Sequence, residues 1–287
     1  MGAHGPGARA AERVRPLTDT QNRDPSPLAA VKPPADRLYG RVRGHALRPR
    51  QQRLLDAALP RLLVSLDRAP DPRSVFASRP ARLALEVGFG GGEHAAALAA
   101  QQPDLGLIAC EVFEPGLCSL LSRLVPDGVD EASAPLPGNL RLWDDDARLL
   151  MPALPDACLD LLVLMFPDPW PKARHARRRF VHPAQVPLVA RLLKPGATWR
   201  VASDDPTYQA WVVDVMGAQD LFDPATAQPT RPDGWPPTRY EAKALRAGRV
   251  PLYWTFVRSA AAVPRASGAE AAWTQTGSSS AGPRAAD

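Results

Sequence analysis

Cysteine is scarce in this chain. The three present, Cys110, Cys118 and Cys158, form no CxxC pair and have no histidine partners nearby. Disulfide frameworks and zinc sites are excluded on that spacing, and no metal is expected. No apolar stretch reaches the length that crosses a bilayer. The N-terminus lacks the short hydrophobic region of a secretory signal, so the expected location is the cytoplasm. Lysine is nearly missing too: of 35 basic residues only Lys32, Lys172, Lys194 and Lys243 are lysines. Arginine suits bidentate phosphate contact, but the same skew, beside abundant Ala and Pro, fits genomic base composition. Against 30 acidic residues the formal charge is only +5. That balance excludes neither an enzyme nor a nucleic-acid binder, so local clusters have to decide.

Apolar periodicity is also missing at both ends of the 287-residue chain. Residues 1–36 are rich in Ala, Arg, Pro and Gly, and residues 259–287 in Ala, Ser and Gly. Both read as disordered, which leaves residues 37–258 as one domain of ordinary size. Its N-terminal arm carries Arg37, Arg41, Arg43, Arg48, Arg50 and Arg53 with no acid among them. The arm is either a solvated face or a phosphate contact. A helical apolar pattern covers residues 51–66.

From Arg82 onward strand and helix patterns alternate. Leu83-Ala84-Leu85-Glu86-Val87, Leu107-Ile108-Ala109-Cys110 and Asn139-Leu140-Arg141-Leu142-Trp143 read as the first three strands. Residues 159–166, 198–202 and 253–257 read as three more. Helices are expected over residues 93–101, 115–124, 182–193 and 206–216, with a Pro/Gly/Ala-rich insertion at 125–138. The alternation predicts an α/β, doubly wound, mostly parallel sheet covered by helices on both faces. Ligands of such sheets bind beyond the carboxyl ends of the strands.

The first strand runs into Glu86-Val87-Gly88-Phe89-Gly90-Gly91-Gly92-Glu93. A dinucleotide-binding GxGxxG would need glycine at position 93, where Glu93 stands, and a carboxylate at that helix start repels a pyrophosphate. This disfavours a nicotinamide dehydrogenase. The alternative ExGxGxG spacing, satisfied by Glu86, Gly88, Gly90 and Gly92, suits S-adenosylmethionine, whose sulfonium and ammonium groups welcome carboxylates. Glu111, ending the second strand, is placed to accept two ribose hydroxyls. Asp146, after the third, is placed to receive an adenine amino group. The plainer alternatives are a helix cap at Glu111 and a solvated turn at residues 144–146.

The fourth strand ends abruptly in Phe166-Pro167-Asp168-Pro169-Trp170-Pro171-Lys172. Prolines cannot donate to a sheet, so Asp168 and Trp170 are presented at the strand end. An acid beside a flat aromatic can hold a nucleobase: one takes N–H donors, the other offers a stacking face. Core packing of the indole is the competing reading. Five fixed cations, Lys172, Arg174, Arg177, Arg178 and Arg179, follow within eight residues. A charge run beside a base pocket is well placed for nucleic-acid phosphates. Thr238-Arg239-Tyr240-Glu241 forms a T-x-x-E capping box, which can start a helix and present donors to a ligand together.

Taken together, Glu86-Val87-Gly88-Phe89-Gly90, Cys110-Glu111-Val112, Asp146-Ala147 and Phe166-Pro167-Asp168-Pro169-Trp170 resemble the bacterial tRNA (guanine-N7-)-methyltransferases. Lys172-Ala173-Arg174-His175, Ser203-Asp204 and Thr238-Arg239-Tyr240-Glu241 extend the resemblance, which runs from about Arg37 to Arg258. It implies a Rossmann-like, seven-stranded methyltransferase sheet and transfer of a methyl group from S-adenosylmethionine to N7 of guanine 46 in the tRNA variable loop. It implies tRNA as partner, with no membrane and no obligate protein partner. Position by position, it implies cofactor contact by Glu86, Gly88, Gly90, Gly92, Glu111, Asp146 and Asp168, with Asp168 also catalytic. Lys172, Asp204, Thr238, Arg239, Tyr240 and Glu241 match substrate-contacting positions. Arg174, His175, Ala176, Arg177, Arg178 and Arg179 match the RNA-contacting run. The family's usual Thr-Asp is Ser203-Asp204 here, followed by Asp205, which leaves open which carboxylate faces the substrate.

Two other readings compete. An amino-group methyltransferase would carry Asp-Pro-Pro-aromatic, but a single proline separates Asp168 from Trp170. A non-catalytic RNA-binding protein on the same scaffold is opposed by the intact Glu86, Glu111 and Asp168.

Overall fold

The computed structural model describes Gly44 and residues 46–263. The N-terminal extension, Arg37, Arg41, Arg43 and the tail from residue 264 lie outside the described residues. Helical structure begins with α1 (Pro49–Arg53), passes into a π-helical turn (Leu54–Ala58) and ends in a 3-10 turn (Leu59–Arg61). The helix expected over 51–66 is therefore shorter, because Pro60 has no N–H to continue the ladder. Beyond it the chain straightens, and Val64 N donates to Leu142 O (2.9 Å) alongside the sheet edge.

Six strands form one sheet in the order β3-β2-β1-β4-β5-β6. They are β1 (Arg82–Val87), β2 (Leu105–Cys110), β3 (Leu140–Trp143), β4 (Leu159–Met165), β5 (Leu193–Ser203) and β6 (Leu252–Val257). The first five are mutually parallel and β6 is antiparallel to β5. Parallel strands covered on both faces must be apolar throughout, and β2 and β4 are buried along nearly their whole length. The helices α2 (Glu93–Gln101), α3 (Glu114–Leu124), α4 (Ala147–Leu150), α5 (Val186–Leu192), α6 (Pro206–Gly217) and α7 (Arg239–Arg246) connect them. The helix expected from residue 182 starts only at Val186, because Pro183 falls in a turn where Ala184 N donates to His182 Nδ1 (3.1 Å).

The resemblance implied a seventh strand; among the described residues there are six. The segment that reaches the outer edge of β6 touches it only through isolated bridges, Phe222 with Arg258 and Gln228 with Tyr253. Pro224 lies between these bridges and Pro229 follows, and neither can donate to a ladder. Past Arg258 the chain is still tied to the body: Ser259 N donates to Leu221 O (3.0 Å).

Two features set the site. Strand order reverses between β1 and β4, so a crevice opens at their carboxyl ends. The register Ser203–Leu252 brings the entry to β6, and the loop carrying α7, to that same edge.

The basic arm has a structural role where it is described. Arg50 donates to Val125 O (2.6 Å), Arg53 pairs with Glu131 (3.2 Å) and Arg61 donates to Ala134 O (2.7 Å). Three guanidiniums thus fasten the 125–138 insertion to the first helix. Where it is described, the arm therefore also holds the protein together, with Arg50 paired to Asp127 (3.1 Å) as well.

Candidate active site

Gly88, Gly90 and Gly92 all take positive φ (70°, 59° and 75°), so the loop after β1 winds tightly into α2. At Gly92 a Cβ would lie 2.5 Å from the Leu120 Cβ, where α2 packs on α3. At Gly90 it would lie 2.9 Å from Tyr240 Cε2. The first turn of α7 therefore sits directly on the glycine loop, and Arg239 approaches Gly91 beside it.

Glu86 is buried beneath this loop, with its Oε2 3.0 Å from His94 Nδ1. His94 is itself 2% exposed, and its Nε2 has no partner among the described residues. Glu111, ending β2, accepts from Gly90 N (2.7 Å) through Oε2 and from Val112 N (2.8 Å) and Phe113 N (2.9 Å) through Oε1. The carboxylate thus shapes the loop that it faces. Burial raises its pKa, the three amides oppose that shift, and the charge of nearby Asp168 adds to it.

Asp168 stands at the end of β4 in a strained turn. Phe166 and Trp170, on either side, adopt φ of +52° and +43°, a region that bulky side chains avoid. Asp168 has no hydrogen-bond or ion-pair partner among the described residues, and desolvation raises its pKa. The turn is held from behind. Arg179, 5% exposed, donates to Pro169 O (3.1 Å) and Trp170 O (3.0 Å), and its guanidinium lies 4.8 Å from the Trp211 ring of α6. Val181 N donates to Tyr208 Oη (3.2 Å), tying the same segment to α6 again.

Asp205 caps α6, accepting from Tyr208 N (3.0 Å), whereas Asp204 pairs with Arg249 (2.7 Å). Thr238 and Glu241 form the capping box of α7, and Arg231 pairs with Glu241 (3.0 Å).

The chain matches the family model Methyltransf_4, described as "Putative methyltransferase", over residues 80–252. It is 64% identical over 232 residues to the tRNA (guanine-N(7)-)-methyltransferase of Granulibacter bethesdensis, covering 81% of this chain and 99% of that protein. It is 47% identical over 241 residues to the protein of the same name from Rhodospirillum rubrum, covering 80% and 91%. The chain belongs to the tRNA (guanine-N(7)-)-methyltransferase family. Among solved structures it is similar to a mutant of the 16S rRNA (adenine(1408)-N(1))-methyltransferase from Catenulisporales acidiphilia, solved with its cosubstrate SAM. That likeness is remote, with 14% identity, a TM-score of 0.46, and coverage of 70% of this chain and 95% of that one.

Of the positions that the methyltransferase family resemblance singled out, the fold gathers Glu86, Gly88, Gly90, Gly92, Glu111 and Asp168 around one crevice, with Tyr240 and Arg239 against its glycine wall. Asp146 is differently engaged: it caps α4 through Arg148 N (3.0 Å), and its oxygens are bound by the Arg148 guanidinium (2.9 and 3.0 Å to Nε). Ala176 and Arg179 are buried, so their side chains lie off the exposed face of this run. Lys172 and Arg174 are exposed. Arg178 stacks 4.6 Å over the Trp170 ring, and His175 meets that ring edge-on at 5.8 Å. Desolvation, then the charges of Arg178, Arg174, Lys172 and Arg177, push the His175 pKa down. The indole of Trp170 thus packs within the cationic segment. Sequence reasoning missed His94, Arg148 and Arg249. The signal that could have found His94 is a histidine in the first turn of the helix that the glycine loop opens, opposite an acid on a buried strand.

Proposed function

We propose that this protein transfers the methyl group of S-adenosylmethionine to N7 of guanine 46 in the variable loop of tRNA, in the cytoplasm. The observation that carries the proposal is Asp168, a carboxylate with no hydrogen-bond or ion-pair partner among the described residues, on a braced turn at the switch point of the sheet. Family membership supplies the substrate class, since the curated relatives are named for tRNA guanine-N7 methylation.

The donor set suits the cofactor. Glu86, Glu111 and Asp168 stand at the carboxyl ends of β1, β2 and β4; burial is the main cause of the raised Glu111 pKa, and repulsion from Asp168 adds to it. A ligand bearing a sulfonium and an ammonium relieves that repulsion. A Cβ on Gly88 would meet nothing within 4 Å, so the loop leaves open space above it. Glu111 keeps a lone pair on Oε2 for a ribose hydroxyl. S-adenosylmethionine, when bound, supplies an electrophilic methyl group.

Guanine N7 already carries a lone pair, so no proton has to leave before attack, and the site has no need of a dedicated base. Orientation then becomes the main lever, and can lower a barrier by about 7–11 kcal/mol. Asp168 accepts guanine N–H donors and favours the positive charge that grows on the purine. Its exposure lets it meet a base, and its partial desolvation strengthens that contact. Lys172, Asp204 and the 238–241 turn border the same pocket as substrate contacts. Lys172, Arg174 and the outward atoms of Arg177 and Arg178 meet tRNA phosphates.

The test is transfer of a labelled methyl group to unmodified tRNA, followed by aniline cleavage at the modified base. Cleavage at a variable-loop guanine supports the proposal. Label on an exocyclic amine, or RNA binding with no transfer, refutes it.

A further inference from the structure

Helix α7 (Arg239–Arg246) carries a feature that the site does not absorb. Arg239, Lys243 and Arg246 are spaced i, i+4 and i+7, which places them on one helical face, and all three are exposed. A cationic stripe is ordinarily neutralised by acids along its helix. Here the one acid of the helix, Glu241, is turned away and paired with Arg231 at 3.0 Å. Arg249, just past the helix, is paired with Asp204 at 2.7 Å, but Lys243 and Arg246 have no carboxylate within ion-pair distance among the described residues.

The position of the stripe gives it meaning. Its first turn rests on the glycine loop through Tyr240, and its last turn leads into β6 at the sheet edge that carries Asp168 and Asp204. The 3-10 segment Ala173–Arg178 leaves that same edge from β4. Two basic tracks therefore flank one crevice. Beside the first turn of α7 a groove of about 660 Å³ is lined by Glu93, Ala96, Ala97, Arg123, Pro237 and Arg239, with Arg123 paired to Glu93 (2.8 Å).

We infer that the exposed face of α7, through Lys243 and Arg246 with Arg239 at its head, is a second phosphate-contacting track for tRNA beside residues 172–178. The inference rests on the tRNA reading proposed above and extends it. A polyanion gripped at two tracks is held with its base near Asp168, whereas one track alone leaves it free to pivot. Neither Lys243 nor Arg246 touches the crevice, so both act on affinity and not on the methyl-transfer step.

The experiment uses the full chain and the double variant Lys243→Ala/Arg246→Ala, with tRNA affinity measured across a salt titration. Each phosphate contact contributes about 0.7–0.9 to the slope of log affinity against log salt. The double variant should lose about 1.4–1.8 of that slope, which corresponds to roughly 25- to 60-fold weaker binding near 0.1 M salt. Single-turnover transfer at saturating tRNA should match the parent, and Lys243→Arg/Arg246→Lys should restore the parental slope. Equal slopes in parent and double variant, with the parent still methylating tRNA, overturn this inference alone. Weakened binding that the charge-conserving variant fails to restore also overturns it. A parent that neither binds nor methylates tRNA overturns the proposed function and this inference with it.

Discussion

Replacing Arg179 by alanine separates two roles that the sequence runs together. In the structure this guanidinium is a brace: it donates to Pro169 O and Trp170 O and lies on the Trp211 ring. Hydrogen bonds from a charged donor contribute about 1.5–3 kcal/mol each, and a desolvated cation–π contact about 2 kcal/mol. Water entering the gap would rehydrate the two carbonyls in part, so a net loss of about 3–5 kcal/mol is expected. Against that stands the strain of the turn, where Phe166 and Trp170 hold positive φ at a cost of about 1–2 kcal/mol each. The two sums are comparable. Without the brace the turn has little reason to keep its shape, and Asp168 rides on it. A displacement of about 1 Å at a positioned group can cost about a hundredfold in rate. Arg179→Ala should therefore lower single-turnover methyl transfer by about that factor at saturating tRNA and cofactor. The salt dependence of tRNA binding should stay parental, because a residue that is 5% exposed reaches no phosphate. Arg179→Lys, which can keep one of the two carbonyl contacts, should fall between. An Arg179→Ala variant that transfers at the parental rate but loses about 0.7–0.9 of salt slope would refute the brace and restore the RNA contact.

The crevice and the helices behind it give further tests. Desolvation holds the Asp168 pKa above its ordinary 3.8 in the folded state, so the folded protein retains this proton more tightly and ionisation costs stability as pH rises through that range. Asp168→Asn should melt at or above the parental temperature at neutral pH and converge with the parent in acid, and a lower melting temperature at neutral pH contradicts the desolvation. His94→Ala leaves the buried Glu86 carboxylate without its donor and should cost about 2–3 kcal/mol in denaturant unfolding. Glu86→Gln added to it should recover part of that loss, and simple additivity of the two losses argues against the pair. Gly92→Ala forces a φ of 75° on a side chain that meets Leu120, and should destabilise by more than the roughly 1–2 kcal/mol of the backbone alone. A change under about 1 kcal/mol, read the same way, speaks against the close packing of α2 on α3.

Much of the fold could be read from local pattern because parallel strands and their helices leave separate periodicities. The six strands located by apolar runs are the six observed, and the helix ends at Gln101, Leu124 and Gly217 fall within a residue or two of expectation. The failures share one cause: proline and the partners of arginine act through three dimensions. Pro60 and Pro183 shorten helices whose apolar spacing continues past them. Within the run 174–179 nothing in the linear order distinguishes Arg179, which turns inward to carbonyls, from Arg174, which stays outside. Asp146 reads as a free acid after β3, yet the arginine two residues later closes on it. The glycine loop, Glu111 and Asp168 were legible because each ends a strand, and strand ends converge wherever the sheet order reverses.

The most direct measurement is single-turnover transfer with saturating S-adenosylmethionine and unmodified tRNA, comparing the parent with Asp168→Ala while tRNA affinity is followed separately. 7-Methylguanosine is expected from the parent and almost none from the variant, with tRNA binding only modestly weakened. A variant that forms 7-methylguanosine at the parental rate would show that the carboxylate at the end of β4 does not carry the reaction.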